Sequence, residues 1–483
     1  MRPPATLDLD DIQGDVVIGM QKDVENFIFF NITNKVAFKA LVKRHVVGRI
    51  TSAQRVNQQE LMIERRKKLG RKTRERFRGL NLGFTKDGLT QLIGPGRPQL
   101  DPAFERGAND QKTIESLNDP PRSAWAREFV SDRIDGIFLV SGRDRTSTML
   151  DCSMLLVLLG ASVKVVSSEV GNTRPGAERG HEHFGFLDGI SQPGIRGLTP
   201  ASNPMYKPDE GLPGQDLIWP GEFVFGYPGQ HPSHSTTEGP PPQMAAPWTR
   251  NGSYMVFRRL EQKVPEFHRF VREQAARLGM DQQLLAARMV DRWKSGAPLE
   301  LAPLRDNPPL GSDVRRNNDF EFGDDRFQRK CPYAAHIRKV YPRDDVNPAE
   351  AQRHRIIRAG IPFGPEVAPG ETTTKHSRGL MFVCYQTSIE RQFEYIQKSY
   401  ANNPDFVTGK ERPGGGGVVA PGFDPIIGQA ARDGARQMDE PFPNYPAGSR
   451  RTTFAIPDQF VKLTAAAYFF MPSITALRTV LTS

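Results

Sequence analysis

The stretch NFIFFNI, residues 26–32, and the stretch FKALVKRHV, residues 38–46, together decide the fold prediction. The first has the short apolar run of a buried β-strand, and the second has apolar residues at helical spacing. The pairing recurs in the second half, where YMVFRRL (254–260) precedes EFHRFVREQAARL (266–278). We infer a weak internal duplication in which each half begins with a strand that leads into an amphipathic helix.

Other short apolar runs predict further strands, and helical spacing predicts further helices. We expect strands at 80–84, 136–140, 163–166, 380–385 and 468–471, and helices at 281–294 and 389–400. Residues 198–247 are dense in proline, glycine and serine, which is typical of a connecting segment. We therefore expect two domains, 1–220 and 221–483, and an α+β fold.

Composition bounds the class of protein. Hydrophobic residues make up 37% and charged residues 25% of 483 residues, which indicates a globular chain long enough for two cores. The three cysteines, Cys152, Cys331 and Cys384, are odd in number and widely spaced, so neither a disulfide framework nor a cysteine metal site is predicted. No apolar run approaches the roughly 20 residues of a membrane helix, so we expect no membrane partner.

The net charge of +10 favours anionic partners without identifying them. A basic run between Arg65 and Arg78 is compatible with polyanion binding, but such runs more often form a solvated helix face. We expect no nucleic-acid partner. A polyanion-binding protein remains the alternative from a different functional class.

One carboxylate stands in an unusual setting, in HEHFGFLDGISQPGIRG (residues 181–197). A lone Asp-Gly pair is usually a turn in which the side chain caps backbone amides. The longer motif around Asp188, however, resembles the Gly-x-x-Asp-Gly signature of the dye-decolorising peroxidases, particularly the fungal ones. The resemblance extends in order through DIQGD (11–15), RPG (174–176), RWKSGAP (292–298), RRNNDF (315–320), CPYAAHIRK (331–339), IPFGPE (361–366), DPIIGQ (424–429) and YFFMPSITAL (468–477).

The resemblance implies two ferredoxin-like α+β domains whose antiparallel sheets face each other, as in a dimeric α+β barrel. It also implies one haem b per chain, bound in the C-terminal half, with the Asp188 loop supplied by the N-terminal domain. His336 of CPYAAHIRK is then the proximal iron ligand, which leaves the opposite face of the iron for peroxide. Asp424 is the expected acceptor for the other ring nitrogen, although an Asp-Pro turn also accounts for it.

The expected reaction is the oxidation of a donor by hydrogen peroxide in one-electron steps. By resemblance Asp188 is the base that moves a peroxide proton, and Arg358, ahead of the IPFG turn, stabilises the developing charge. An aspartate has an ordinary pKa of about 3.9, so such a base works in acid and predicts an acidic pH optimum.

Further residues are assigned to the haem pocket by the same resemblance. Leu380 and Phe382 match apolar residues of the distal pocket, although alternation along a strand explains them equally well as core. Arg338 and Arg315 are the candidates to pair with haem propionates, because a guanidinium matches a carboxylate bidentately.

Bulky dyes cannot enter a narrow haem channel, so their oxidation requires an electron relay to the surface. Some fungal relatives have tyrosine in an IPYG turn, where this chain has Phe363, which forms no phenoxyl radical. Tyr400, where relatives often carry tryptophan, is the expected surface site. The expected donors are bulky anionic anthraquinone and azo dyes and phenolic or aromatic compounds, and the positive charge favours anionic ones.

Three points stay open. The same fold serves a non-catalytic haem-handling protein, because fold does not dictate chemistry, and chlorite-dismutase-like chemistry uses a similar histidine and arginine. The resemblance favours a secreted fungal enzyme, but no signal peptide is visible, so a cytoplasmic location stays open too. We expect a monomer or a homodimer.

Overall fold

The structure is a computed structural model that describes residues 6–70, 77–131, 133–199, 211–409, 420–430, 436–440, 452–457 and 459–483. Part of the basic run, at 71–76, and part of the connecting segment, at 200–210, lie outside the described residues. Within the described residues no helix combines the length and the apolar character needed to cross a membrane.

The strands recur throughout the chain. They are β1 (Val24–Ile32), β2 (Gly79–Phe84), β3 (Gly136–Gly142), β4 (Val163–Asn172), β5 (Gly194–Ile195), β6 (Leu217–Ile218), β7 (Gly229–Gln230), β8 (Glu238–Gly239), β9 (Ser253–Gln262), β10 (Ile357–Arg358), β11 (Ile361–Phe363), β12 (Gly379–Gln386), β13 (Arg436–Glu440), β14 (Thr452–Ile456) and β15 (Val461–Met471). Nine of them form one antiparallel sheet in the order β10–β12–β9–β15–β2–β3–β1–β4, with β11 also paired to β12.

The helices lie between these strands. They are α1 (Gly14–Val17), α2 (Lys35–Leu41), α3 (Ala53–Lys68), α4 (Lys86–Ile93), α5 (Pro102–Arg106), α6 (Gln111–Ser116), α7 (Glu128–Ser131), α8 (Arg145–Leu159), α9 (Val264–Leu278), α10 (Gln282–Val290), α11 (Pro308–Gly311), α12 (His336–Val340), α13 (Pro348–Gln352) and α14 (Ile474–Ala476). Two π-helical segments, Glu390–Glu394 and Ile396–Ala401, follow β12.

The predicted duplication is visible in the strand order. In the N-terminal half the sheet runs β4–β1–β3–β2, and in the C-terminal half it runs β15–β9–β12–β10. Each half thus places its first strand between its third and fourth, which is the ferredoxin-like arrangement of two βαβ units. The predicted α+β fold with two ferredoxin-like halves is confirmed, while the boundary after residue 220 stays a prediction.

The two halves are joined and curled into a barrel-like form. The junction is the antiparallel pairing of β15 with β2, at Phe470 and Phe84. At the opposite ends of the sheet, β4 and β11 come into contact at Gly171 and Ile361, where a side chain on Gly171 would collide with the isoleucine. The sheet therefore curls until its outer strands touch.

Several predicted elements have shifted bounds for identifiable reasons. The strand expected at 468–471 begins at Val461, because the alanines of VKLTAAAY carry little strand signal. The helix expected at 281–294 ends at Val290, since Asp291 takes a left-handed conformation with φ of 85°. The helix expected at 389–400 is present as the two π-helical segments.

Candidate active site

A large cavity lies on the C-terminal half of the sheet, with a volume of about 1660 Å³ including its open mouth. Most of the side chains that line it are apolar, with a few polar groups among them, as is usual for a small-molecule site. Its walls come from β9, β12 and β15 on one side and from α12 and the π-helical segments on the other. The loop 182–193, from the N-terminal half, closes the remaining side.

That loop, the distal loop (residues 181–193), is folded by its own side chains. The Glu182 carboxylate accepts the N–H groups of Phe184 (2.9 Å) and Phe186 (2.8 Å). His183 is bonded through Nε2 to the carbonyl of Phe363 (2.8 Å), which attaches the loop to the IPFG turn. The loop is therefore fixed at its start before Asp188 is reached.

Asp188 and Arg358 meet at the cavity wall. Arg358 Nη1 donates to Asp188 Oδ1 at 2.8 Å, and the same oxygen accepts the Gly189 N–H at 2.6 Å. Gly189 has a φ of +84°, a conformation that a glycine adopts without strain. Both bonds fall on Oδ1, so among the described residues no hydrogen bond is made to Oδ2 of this cavity-lining side chain.

The ion pair also sets the acidity of Asp188. Its depth within the protein raises the pKa of the carboxyl, but Arg358 and the Gly189 N–H together outweigh that effect. The pKa of Asp188 therefore lies below its ordinary value, and the carboxylate stays ionised in mild acid. The side chains of Arg358 and Asp188 are 31% and 40% exposed within the cavity, so a small molecule can reach them.

His336 and Asp424 form a second pair. His336 opens α12 and lines the cavity, and its Nδ1 lies 2.7 Å from Asp424 Oδ2. The other oxygen of Asp424 accepts the N–H groups of Ile426 (2.8 Å) and Ile427 (2.9 Å). The Asp-Pro turn and the histidine anchor are therefore both present, because one oxygen makes the turn and the other holds the ring.

The electrostatics of this pair favour one tautomer. Burial lowers the pKa of His336, but the charge of Asp424 outweighs it, and the pKa is raised overall. Burial likewise raises the pKa of Asp424, yet His336 and the backbone N–H groups hold it below its ordinary value. An ionised Asp424 accepts a hydrogen bond from Nδ1–H of the neutral ring, which leaves the Nε2 lone pair available as a metal ligand.

Leu380 and Phe382 both line the cavity from β12. They are two residues apart, so they share one face of the strand. Opposite them on β9, Arg258, Leu260 and Gln262 line the cavity with the same spacing. The sequence alone is compatible with either a core or a pocket position for Leu380 and Phe382. In the structure this face of β12 forms a wall of the cavity.

Arg338 does not reach the cavity, and the prediction that it pairs with a propionate is wrong. Its side chain is fully buried, donates from Nε to Asp345 (2.6 Å) and from Nη1 to Asp325 (3.1 Å), and stacks over Tyr333 and Phe322. Arg338 is two residues past His336 on α12, and helix geometry directs such a side chain away from its neighbour's face.

Arg315 lies at the exposed surface and is not among the described residues that line the cavity, so its assignment is wrong as well. The arginines that do line it are Arg258, Arg292, Arg355 and Arg358.

Arg292 is the notable member of that set. Burial lowers its pKa to about 10, and its Nε is buried with no hydrogen-bond partner among the described residues. The other guanidinium nitrogens donate to neutral oxygens, including Ser191 Oγ at 3.0 Å. In the part of the chain that the structure describes, no carboxylate is hydrogen-bonded to Arg292, so its positive charge is not neutralised by a bonded partner.

Tyr400 is not a surface residue, and that part of its prediction is wrong. Its side chain is 3% exposed and stacks on Phe406 at 4.0 Å. The half-buried Tyr395 contacts its edge at 5.3 Å and stacks on His354 at 3.7 Å. The π-helical segment turns Tyr400 inward, which sequence position could not indicate.

The sequence also contained signals that were missed. Within RWKSGAP the sequence does not single out Arg292, although this residue lines the cavity. Alternation along β9 would have grouped Arg258 with Gln262, but it cannot say which face meets a cavity.

Comparisons with known proteins agree with this geometry. Residues 11–175 match the family model described as the DyP dimeric alpha+beta barrel domain, and residues 236–421 match the Dyp-type peroxidase C-terminal domain. The dye-decolorizing peroxidase msp1 of Mycetinis scorodonius is 36% identical over 99% of this chain and 88% of its own. The dye-decolorizing peroxidase of Exidia glandulosa is 37% identical over 98% of this chain and 87% of its own.

Solved structures show the same relationship. A mutant of the dye-decolorizing peroxidase from Pleurotus ostreatus superposes with a TM-score of 0.85 and 38% identity, covering 99% of this chain and all of that one. The fold and these matches define a peroxidase with two ferredoxin-like halves. This chain belongs to the dye-decolorising peroxidase family and is an enzyme of that type.

Proposed function

We propose that the cavity holds one haem b, with His336 as proximal ligand, and that Asp188 and Arg358 act on hydrogen peroxide. The observation that carries this proposal is that both pairs, Asp188 with Arg358 and His336 with Asp424, line or support one cavity.

The residues present fit haem. The wall formed by Leu260, Leu380, Phe382 and Leu463 is apolar, as a porphyrin face requires. His336 offers Nε2 as a ligand to iron. Arg292 has a buried Nε with no partner among the described residues, which suits an anionic propionate better than Arg338 or Arg315 does.

The haem iron, when bound, supplies the oxidising equivalents taken from peroxide. Asp188 accepts the proton of one peroxide oxygen at its unbonded Oδ2 and delivers it to the other oxygen, which leaves as water as the O–O bond breaks. The guanidinium of Arg358 stabilises the negative charge that develops between these steps. Arg358 therefore both holds Asp188 ionised and assists the reaction directly.

This arrangement supports activity at acidic pH. The pKa of Asp188 is below its ordinary value, so the carboxylate remains a base in mild acid, where an unperturbed histidine, with a pKa of about 6.5, is protonated.

The test is Asp188→Asn in the haem-loaded protein. We expect the second-order rate constant for hydrogen peroxide to fall by about 10²–10⁴-fold, because a general base is lost while its shape is kept. Asp151→Asn is the matched control. Asp151 also forms an ion pair, with Arg78 at a distance of 2.9 Å, but it does not line the cavity. Equal rates for wild type and Asp188→Asn, followed by stopped-flow spectroscopy, would exclude Asp188 as the base.

The proposed donors are phenolic compounds and anthraquinone or azo dyes. The net charge of +10 raises the local concentration of sulfonated dyes, an effect that salt should weaken. For donors too large for the cavity, the proposed relay runs from Tyr395 through Tyr400, whose segment also contributes Ile396 and Gln397 to the cavity wall.

Tyr400→Phe tests the relay. We expect slower turnover of bulky dyes with unchanged turnover of small phenols, because small phenols enter the cavity. Tyr227→Phe is the matched control, since Tyr227 is equally buried and bonds to Asn251 far from the cavity. Dye turnover equal to that of the control would remove Tyr400 from the relay.

By the same resemblance the enzyme acts outside the cell, as a monomer or a homodimer. Detection of the protein in the culture medium of the producing organism tests the first point, and light scattering of the purified protein tests the second.

A further inference from the structure

The backbone of Arg358 lies at an open edge of the sheet. β10 is the terminal strand, and Arg358 faces Cys384 of β12. The next residue, Ala359, donates its N–H to the Val383 carbonyl at 2.9 Å. Backbone groups of alternate residues point to opposite edges in an antiparallel pair, so the N–H and carbonyl of Arg358 point away from β12. An edge strand leaves such groups without a strand partner.

The side-chain amide of Gln192 takes the place of that missing strand. Its Nε2 donates to the Arg358 carbonyl at 2.6 Å, and its Oε1 accepts the Arg358 N–H at 3.2 Å. One amide therefore satisfies both backbone groups of Arg358. Backbone groups left without hydrogen-bond partners are costly, so both hydrogen bonds from the Gln192 amide stabilise this arrangement of Arg358.

Gln192 also belongs to the distal loop that carries Asp188. The carbonyl of Ser191, next to it, accepts from Arg358 Nη2 at 3.4 Å. The carbonyl of Gln192 itself accepts from Gln215 Nε2 at 3.1 Å, so the end of the loop is fixed. The two hydrogen bonds of the Gln192 amide thus join the distal loop, which supplies Asp188, to the strand that supplies Arg358.

The structure assigns Gln192 as a positioning residue for Arg358. Its amide sets the position of the Arg358 backbone relative to the distal loop, so that the guanidinium meets Asp188 Oδ1. This inference rests on the function proposed above for Arg358, and it concerns a residue that touches neither peroxide nor haem in the proposed scheme.

The test uses Gln192→Met, which keeps the length of the side chain and removes both hydrogen bonds, in the haem-loaded protein. We expect faster hydrogen exchange in the peptide that contains the Arg358 amide, measured by mass spectrometry. A displacement of about 1 Å lowers rates by up to about 10²-fold, so we also expect a fall in kcat/KM for hydrogen peroxide. The KM for small phenols should not change.

A second measurement separates positioning from simple loop anchoring. The charged groups around Asp188 are Arg358, His336 and Glu182, and Gln192 bonds only to the first of these. A displaced Arg358 holds the pKa of Asp188 down less well, so the acid limb of kcat/KM for peroxide should move to higher pH. A residue that merely anchors the loop would lower the thermal midpoint without moving that limb.

Gln91→Met is the matched control, because Gln91 also donates from Nε2 to a strand carbonyl, that of Ile32, at 2.9 Å and away from the cavity. Gln192→Asn serves if the methionine variant does not fold, and its shorter amide should move both readouts in the same direction. An acid limb that coincides with those of wild type and Gln91→Met overturns the inference. A wild type that does not consume peroxide defeats the proposed function instead, and leaves the exchange result for Gln192 to stand alone.

Discussion

The two halves share a strand order but fill the space beside their strands differently. In the N-terminal half, Phe38 of α2 packs on Phe30 (5.7 Å) and Phe84 (6.2 Å), and Phe30 stacks on Phe138 (4.7 Å). All four side chains are fully buried. The space next to these strands is closed by aromatic packing.

In the C-terminal half the helix after the first strand packs elsewhere. Phe267 of α9 contacts Phe184 of the distal loop at 4.3 Å and Phe460 at 5.5 Å. The strand positions Leu260 and Phe382 face the cavity. One duplicated fold thus yields a solid core or an open cavity, depending on whether helix side chains or the distal loop meet the strands.

The largest expected effect lies in the filled half. Phe138→Ala should lower the free energy of unfolding by about 3–5 kcal/mol, because it leaves a cavity in a packed core. Urea denaturation measures the loss, with the 80% exposed Val157→Ala on α8 as control. A loss below about 1 kcal/mol would mean that this half is not packed as described.

Polar residues of the cavity should affect the reaction more than stability. Arg358→Leu should lower the rate with peroxide by about 10²–10³-fold, as expected when a charge-stabilising donor is removed. Arg358 also depresses the pKa of Asp188, and the proposed base would be active above that pKa. Removing Arg358 raises the pKa, so the acid limb of the pH–rate profile should shift to higher pH; a shift to lower pH would contradict the ion pair.

The anchor behind His336 should have a smaller effect. Asp424→Asn keeps the turn but weakens the bond to Nδ1, and we expect haem affinity or activity to fall by about 10–100-fold. Titration of the apoprotein with haem, followed at the Soret band, measures the affinity. If affinity and activity both match wild type, Asp424 serves the turn alone.

The smallest effect is expected at the cavity wall. Phe382→Ala removes a ring that borders the cavity, so in the haem-free protein the loss of unfolding free energy should be well under that of Phe138→Ala. Equal losses at the two positions, measured by the same denaturation series, would erase the contrast between the halves.

Most of the fold, and about half of the residues of the candidate site, can be predicted from the sequence. Strand–helix pairing indicated the duplication because both periodicities are local. Long motifs point to His336 and Asp188, whereas Arg358 is indicated by its place ahead of the IPFG turn and Asp424 by resemblance alone. The first three line one cavity, and Asp424 contacts the ring of His336.

The remaining residues depend on directions that sequence does not encode. Arg338 and Arg315 are near pocket residues along the chain, yet one points into an acidic core and the other to solvent. Tyr400 is inward because its segment is π-helical, and Gln192 matters only because it meets a strand 166 residues away.

The place of β15 in the sheet has a consequence for biosynthesis. It is the last of the nine strands along the chain, yet it lies between β9 and β2 at the junction of the halves, and its Val461 and Leu463 form part of the cavity wall. Domains generally fold from the N-terminus as they emerge from the ribosome. Here the N-terminal half can assemble early, whereas the complete cavity must await the synthesis of residues 461–471, so binding of the proposed haem would be a late event in the life of the chain.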